Sequence, residues 1–128
     1  MPTIEMQAAI DIRAPIAGEI VADAITAASV RYVVPSSWVG KFVTVKVAGM
    51  GASDVCYVLF GGSGVTASAT QNSTTSGSPK SITPHATTAW PLVNGEERVF
   101  RVRDAETHFA VIGSAAAGRF FAYMSQNT

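Results

Sequence analysis

Charge is what this sequence has least of. Only 14% of its 128 residues are Asp, Glu, Lys or Arg, where an average soluble domain carries roughly a quarter. Nine basic residues cancel nine acidic ones. A chain without a basic footprint is poorly suited to nucleic acid or to an anionic membrane as its main partner. It has a single cysteine, Cys56, which excludes an intrachain disulfide. Apolar runs long enough to cross a bilayer as a helix are also missing. The start, MPTIEMQAAIDIR, has no basic stretch followed by an apolar one, so no secretory signal is expected. Little charge with 48% hydrophobic residues suits a chain that hides surface by associating with copies of itself. The alternative is an ordinary small β domain whose many Ala and Gly residues raise the apolar count.

What is present is alternation. The length fits one domain with one core. Ile4, Met6, Ala8, Ile10 and Ile12 alternate with Glu5, Gln7, Ala9 and Asp11. That is the pattern of an amphipathic strand, or of an extended arm that becomes a strand by pairing with a neighbour. Residues 16–28 read as extended structure with turns, and Ser29 to Val34 as a short strand stopped by Pro35. In Trp38 to Gly61 the residues Val43, Val45 and Val47 share one face. Asp54 to Phe60 is apolar on both faces, so it must be covered on both sides. These two runs, joined across Gly49 to Ser53, read as a hairpin. Gly61 to Gly64 breaks the chain sharply. Residues 66–89 are rich in Ser, Thr, Ala and Gly, a long loop either exposed or folded over a neighbouring chain.

Ala89 to Val93 re-enters the apolar body before an Asn94-Gly95 turn. The last third reads as an antiparallel meander. Phe100 and Val102 lie on one face against Arg101 and Arg103 on the other. Phe109 and Val111 point inward against His108 and Ala110, and Phe120, Phe121 and Tyr123 close the series. Strands every ten residues or so with turns between them predict an all-β antiparallel sandwich or jelly-roll-like barrel with an extended N-terminal arm. The expected division is an arm over 1–15 and one β-sandwich domain over 16–128, with its long loop at 66–89.

No residue constellation makes a catalytic, cofactor or metal site, so residue chemistry alone does not say what the chain does. Gly61-Gly62-Ser63-Gly64 lacks the Lys and the following helix of a phosphate-binding loop, and Gly62-Ser63-Gly64 lacks the spacing of a nucleophile elbow. Asp104, Glu106 and His108 have metal-ligating side chains, but the two acids flank a turn where solvation explains them. Glu96 and Glu97 are adjacent and, on a strand, point to opposite faces. Asn72-Ser73-Thr74 matches a glycosylation sequon, which has no meaning without a secretory route. Arg98, Arg101, Arg103 and Arg119 read as a solvated sheet face. Cys56, inside the most apolar run, is expected to be a core hydrophobe. Trp38 and Trp90 beside turns are read as lids on the ends of the core, with exposed stacking platforms as the alternative.

One resemblance goes further. The Trp-Val-Gly-Lys opening at residue 38, the YVLFGGSGVTAS segment, the polar loop, PLVNGEERVFRV, THFAVIG and the final Gly-Arg-aromatic strand resemble the capsid decoration (cement) proteins of tailed bacteriophages. The likeness spans roughly the last two thirds of the chain. It implies a β-sandwich or jelly-roll body, commonly a homotrimer, bound to the major capsid protein lattice on the virion surface after assembly in the host cytoplasm. It implies no enzyme activity, cofactor, nucleic acid or membrane partner. Ile4, Met6, Ile10, Ile12, Trp38 and Trp90 are the residues expected at contacts with other subunits or the capsid. The other readings are a carbohydrate- or receptor-binding module of a phage head or tail fibre, or a tail or head-completion structural protein.

Overall fold

The computed structural model describes residues 19–69, 73–74, 79, 82–83 and 85–124. The expected arm over 1–15, with Ile4, Met6, Ile10 and Ile12, lies outside the described residues, as does Asn72. In chain order the strands are β1 Val21–Ala24, β2 Val30–Val33, β3 Phe42–Ala48, β4 Val55–Gly61, β5 Ser73–Thr74, β6 Ile82–Thr83, β7 Trp90–Val93, β8 Glu97–Arg101, β9 His108–Gly113 and β10 Arg119–Met124. A short 3-10 turn, Ser36–Trp38, precedes β3.

Two four-stranded sheets carry the body, in the orders β1-β10-β3-β8 and β2-β9-β4-β7, while β5 and β6 pair only with each other. Every pairing between strands is antiparallel. Among the eight main strands only β4 and β7, consecutive across the long loop, share a sheet; each other connection crosses the sandwich. Two antiparallel sheets wound this way are a jelly roll.

The alternation read from the sequence places the core. Val43, Val45 and Val47 of β3 are fully buried, and so are Phe120 and Ala122 of β10, Cys56 of β4, Leu92 of β7, Val102 and Trp38. Phe109 on β9 is the hub. Its ring centroid lies 5.3 Å from Tyr32, 6.3 Å from Trp38, 5.3 Å from Phe60 and 5.8 Å from Phe120. Offset and edge-on aromatic contacts of this kind add about 0.5–1.5 kcal/mol per pair beyond area burial. Among the described residues three side-chain polar atoms are enclosed without a hydrogen-bond partner, Glu19 Oε2, Trp38 Nε1 and Thr44 Oγ1. Thr44 sits on the opposite face of β3 from the valines, in register with Tyr123 and Val99.

Two expectations are corrected. The stretch from Trp38 to Gly61 is two strands but not a hairpin: β3 pairs with β10 and β8, and β4 with β9 and β7. The last third is not a meander either, because β8 and β10 flank β3 while β9 sits in the other sheet. The reason is common to both. A period of two fixes which face of a strand is buried, not which strand lies beside it. The faces read for β3, β8 and β9 were assigned correctly, and a link crossing the sandwich leaves the same pattern as a hairpin. The corner between β3 and β4 is pinned from outside, since Met50 N–H donates to Asn94 Oδ1 at 3.0 Å. Gly118 approaches it closely: at φ 81°, a Cβ there would fall 2.7 Å from the Ala48 carbonyl oxygen, so only glycine fits.

The outer face of β4 is covered by its own chain. After the Gly61–Gly64 turn, Ala67 N–H donates to Ser29 Oγ at 3.1 Å. Ser68 forms an isolated parallel bridge with Thr88. Ala67 and Ala89 are buried with Ala110, and Tyr57, Leu59, Val65 and Ile112 pack against them. The two ends of the 66–89 loop are thus a roof on the second sheet, built from small residues that let backbone lie close to β9.

Candidate functional site

A jelly roll leaves two flanks where the edges of its sheets face each other. At one, β1 and β2 are the edge strands; at the other, β7 and β8. The β1–β2 flank is crossed by Tyr32, whose hydroxyl donates to Asp23 Oδ2 at 3.0 Å. Partial burial first, then the hydrogen bond and charge of Asp23, push the Tyr32 hydroxyl up to about 12.

The β7–β8 flank is organised by the turn between its strands. Gly95 N–H donates to the Val47 carbonyl at 3.0 Å and Glu96 N–H to the Val93 carbonyl at 2.9 Å. Glu96 carries two further contacts, accepting from Val93 N–H at 3.1 Å and pairing with Arg98 at 3.2 Å. That pair is the only ion pair among the described residues. Arg98 reaches across the flank with its guanidinium carbon 5.5 Å from the Trp90 ring centre. Trp90 beneath this bridge is 50% exposed, and Val93 at 49% and Val99 at 54% are exposed on the outer faces of the second and the first sheet.

Beside Trp90 lies a cleft of about 420 Å³ between the sheets, with Phe60, Phe100, Arg101, Arg103 and Glu106 among its lining residues. Phe60 and Phe100 form its floor, 5.5 Å apart. The Glu106 carboxylate is engaged locally, accepting from Arg103 N–H at 2.8 Å. Arg101 stacks over Phe42 at 5.7 Å. Neither Arg101 nor Arg103 has a carboxylate within ion-pair distance among the described residues.

Among the described residues no strand pairs with β8 on this side. Val102 N–H donates to the Lys41 carbonyl and Val47 N–H to the Glu96 carbonyl. Residues 96 and 102 therefore face β3. Alternation along an antiparallel strand sends the amides and carbonyls of Glu97, Val99 and Arg101 outward. The neighbouring edge strand β7 contains Pro91, which has no N–H to offer a further strand.

Of the residues expected at contacts, Trp90 stands on this flank. Trp38 does not. It is fully buried and stacks on Phe109, because the Ser36–Trp38 turn aims it inward, so it presents no surface to another chain and is a lid on the core, not a stacking platform. Val93, Val99 and Arg98 were not singled out from the sequence. Val99 had a signal, since it shares outward parity with Arg101.

The other chemical candidates do not come together. His108 Nδ1 is 2.8 Å from Thr107 Oγ1 and Glu106 is held by its turn. Among the described residues no three His, Cys, Asp or Glu side chains converge on one point. The Gly61–Gly64 segment is a turn, with Val65 N–H donating to the Gly62 carbonyl at 3.1 Å. Cys56 is fully buried and its thiol is pushed up to about 12 by desolvation, which makes it inert at neutral pH. Tyr123, on the outer face of the first sheet, is raised by burial and then by the charge of Glu97.

No family model matches the chain, and no curated protein matches it. A solved structure from Bacillus endospore appendages, described as a novel family of disulfide-linked pili, is 18% identical with a TM-score of 0.41, covering 88% of this chain and 94% of that one. It is a pilus protein, not a phage head protein, and a likeness this distant carries no argument about what this chain does.

Proposed function

We propose that the protein is a structural subunit rather than an enzyme, and within that class a capsid decoration protein. In this reading it associates with copies of itself, as a homotrimer, and binds the major capsid protein lattice on the surface of a phage head. The observation that carries it is the β7–β8 flank, where Trp90, Val93 and Val99 are exposed. The sequence resemblance of residues 38–124 to cement proteins supplies the lattice. Many modest contacts repeated over a lattice sum to nearly irreversible attachment. Heads with and without the protein are compared on heating: the decorated heads are expected to retain their DNA to a higher temperature, and equal release would contradict the proposal.

A second reading rests on the cleft. A half-exposed Trp90 beside Arg101 and Arg103 could stack on a sugar ring and hold an acidic group. Trp38, Trp90 and Tyr123 do not make one stacking site, since Trp38 is buried and Tyr123 lies on β10. Glycan-array binding lost in Trp90→Ala would favour this reading over the first.

A further inference from the structure

We infer that β8 is an acceptor edge, and that what it accepts is the segment Ile4–Ile12 of a second copy of this chain, added as a further strand to the first sheet. The inference rests on the reading of the protein as self-associating and names the surface that does it. Four observations lead there.

First, β8 offers three consecutive outward N–H and C=O pairs, at Glu97, Val99 and Arg101, and Val99 between them is exposed. The remaining edges are less suited. β7 contains Pro91, β1 and β2 span four residues each, and the entry to β2 is occupied where Ser29 accepts from Ala67. Second, the two faces of the segment match the two sides of that edge. Strand addition to β8 turns alternate side chains towards the cleft and towards the outer face of the first sheet. With Ile4, Met6, Ile10 and Ile12 turned to the cleft, they cover Phe100, Phe60 and Trp90.

Third, the opposite face of the segment then brings Glu5 and Asp11 to the side where Arg101 lies without a carboxylate partner among the described residues. Fourth, the donor leaves from the other side. The described chain begins at Glu19 beside β1, the far edge of the first sheet from β8. The six residues between the segment and Glu19 span up to about 20 Å at roughly 3.3 Å per extended residue, enough to reach a neighbour packed on that side. A donor on one edge and an acceptor on the opposite edge give head-to-tail association, which closes as a ring or runs on as a filament.

The test uses full-length chains. One variant, Met6→Asp with Ile10→Asp, keeps the edge and spoils the donor. The other, Val99→Pro, keeps the donor and removes an outward N–H that β3 does not use. Mass in solution is measured by sedimentation. The native chain is expected to associate, each variant alone to be monomeric, and an equal mixture to give a dimer and nothing larger. If Val99→Pro melts far below the native chain, Arg101→Glu replaces it, with Glu5→Lys and Asp11→Lys in the donor expected to restore association. Three results overturn the inference: association by the Met6→Asp, Ile10→Asp variant; a mixture that stays monomeric; or a native monomer whose melting temperature falls when the segment is changed, which would mean the segment docks on its own chain. Head binding is scored separately. A chain that forms the mixed dimer yet binds no phage head sinks the decoration reading alone, and heads stabilised without mixed-dimer formation sink the edge assignment alone.

Discussion

The two flanks of the sandwich solve one problem in different ways. Both must bridge the gap between an edge strand of each sheet. At β1–β2 the bridge is Tyr32, anchored in the core against Phe109 and Phe120 and ending on Asp23. At β7–β8 it is Arg98, reaching over the face of Trp90 from outside. The first bridge grows out of the core; the second lies on the surface and leaves Val93 and Val99 exposed. Val33 and Ile20 are exposed at the first flank too, so the difference lies in the bridge: one is a core ring that contributes to stability, the other a surface cation over a half-exposed Trp90 that another molecule can cover.

The largest effect is expected where the flanks meet. Phe109→Ala removes the ring that touches both Tyr32 and Phe60, and by the usual cost of large-to-small core changes it should lose about 3–5 kcal/mol in a denaturant titration. A loss under about 1 kcal/mol would mean that the flanks do not share one core. Thr44→Val replaces an enclosed, unpartnered hydroxyl with a methyl group and should stabilise by about 1 kcal/mol; a destabilised variant would show that the hydroxyl has a partner. Tyr32→Phe removes the hydrogen bond to Asp23 and should cost no more than about 1 kcal/mol, because the pair is exposed.

The Tyr32 ring also has a pH signature. In the fold its hydroxyl is raised from 10.0 to about 12, and the Cys56 thiol from 9.0 to about 12. The unfolded chain releases these protons first, so their contribution is complete below about pH 9 and disappears as pH rises from there through about 12. Melting temperature should therefore fall over that range, and fall less in a Tyr32→Phe, Cys56→Val chain; identical slopes would contradict the assignment. The smallest effect on stability is expected at the other flank. Trp90→Ala loses an exposed cation–π contact of about 0.5–1 kcal/mol, yet it should weaken self-association many-fold. A variant that associates like the native chain would break the distinction between the flanks.

Much of this was legible in the sequence, for local reasons. Alternation at Val43, Val45 and Val47 and at Phe109 and Val111 marked the buried faces, and Asn94-Gly95 marked the corner between β7 and β8. The partners of the strands were not legible. β3 meets β10 over a separation of more than seventy residues, and nothing in the period of either strand encodes that pairing. The roof over β4 was half visible: a strand apolar on both faces required a cover, but Ala67 and Ala89 in a Ser/Thr-rich loop carry no signal that they would supply it. Trp90 was singled out as a large aromatic beside a proline. That Trp38 would be inside and Trp90 outside depended on the Ser36–Trp38 turn, which the sequence showed only as a break.

The account turns on β8 being the edge that another chain covers. Amide hydrogen exchange, followed in the dissociated and the associated protein, reads this residue by residue. Exchange at Glu97, Val99 and Arg101 should be fast in the dissociated chain and slow at least tenfold on association, while Val30 to Val33 on the opposite flank stays unchanged. Unaltered exchange at Glu97, Val99 and Arg101, with new protection at Val30 to Val33, would contradict it.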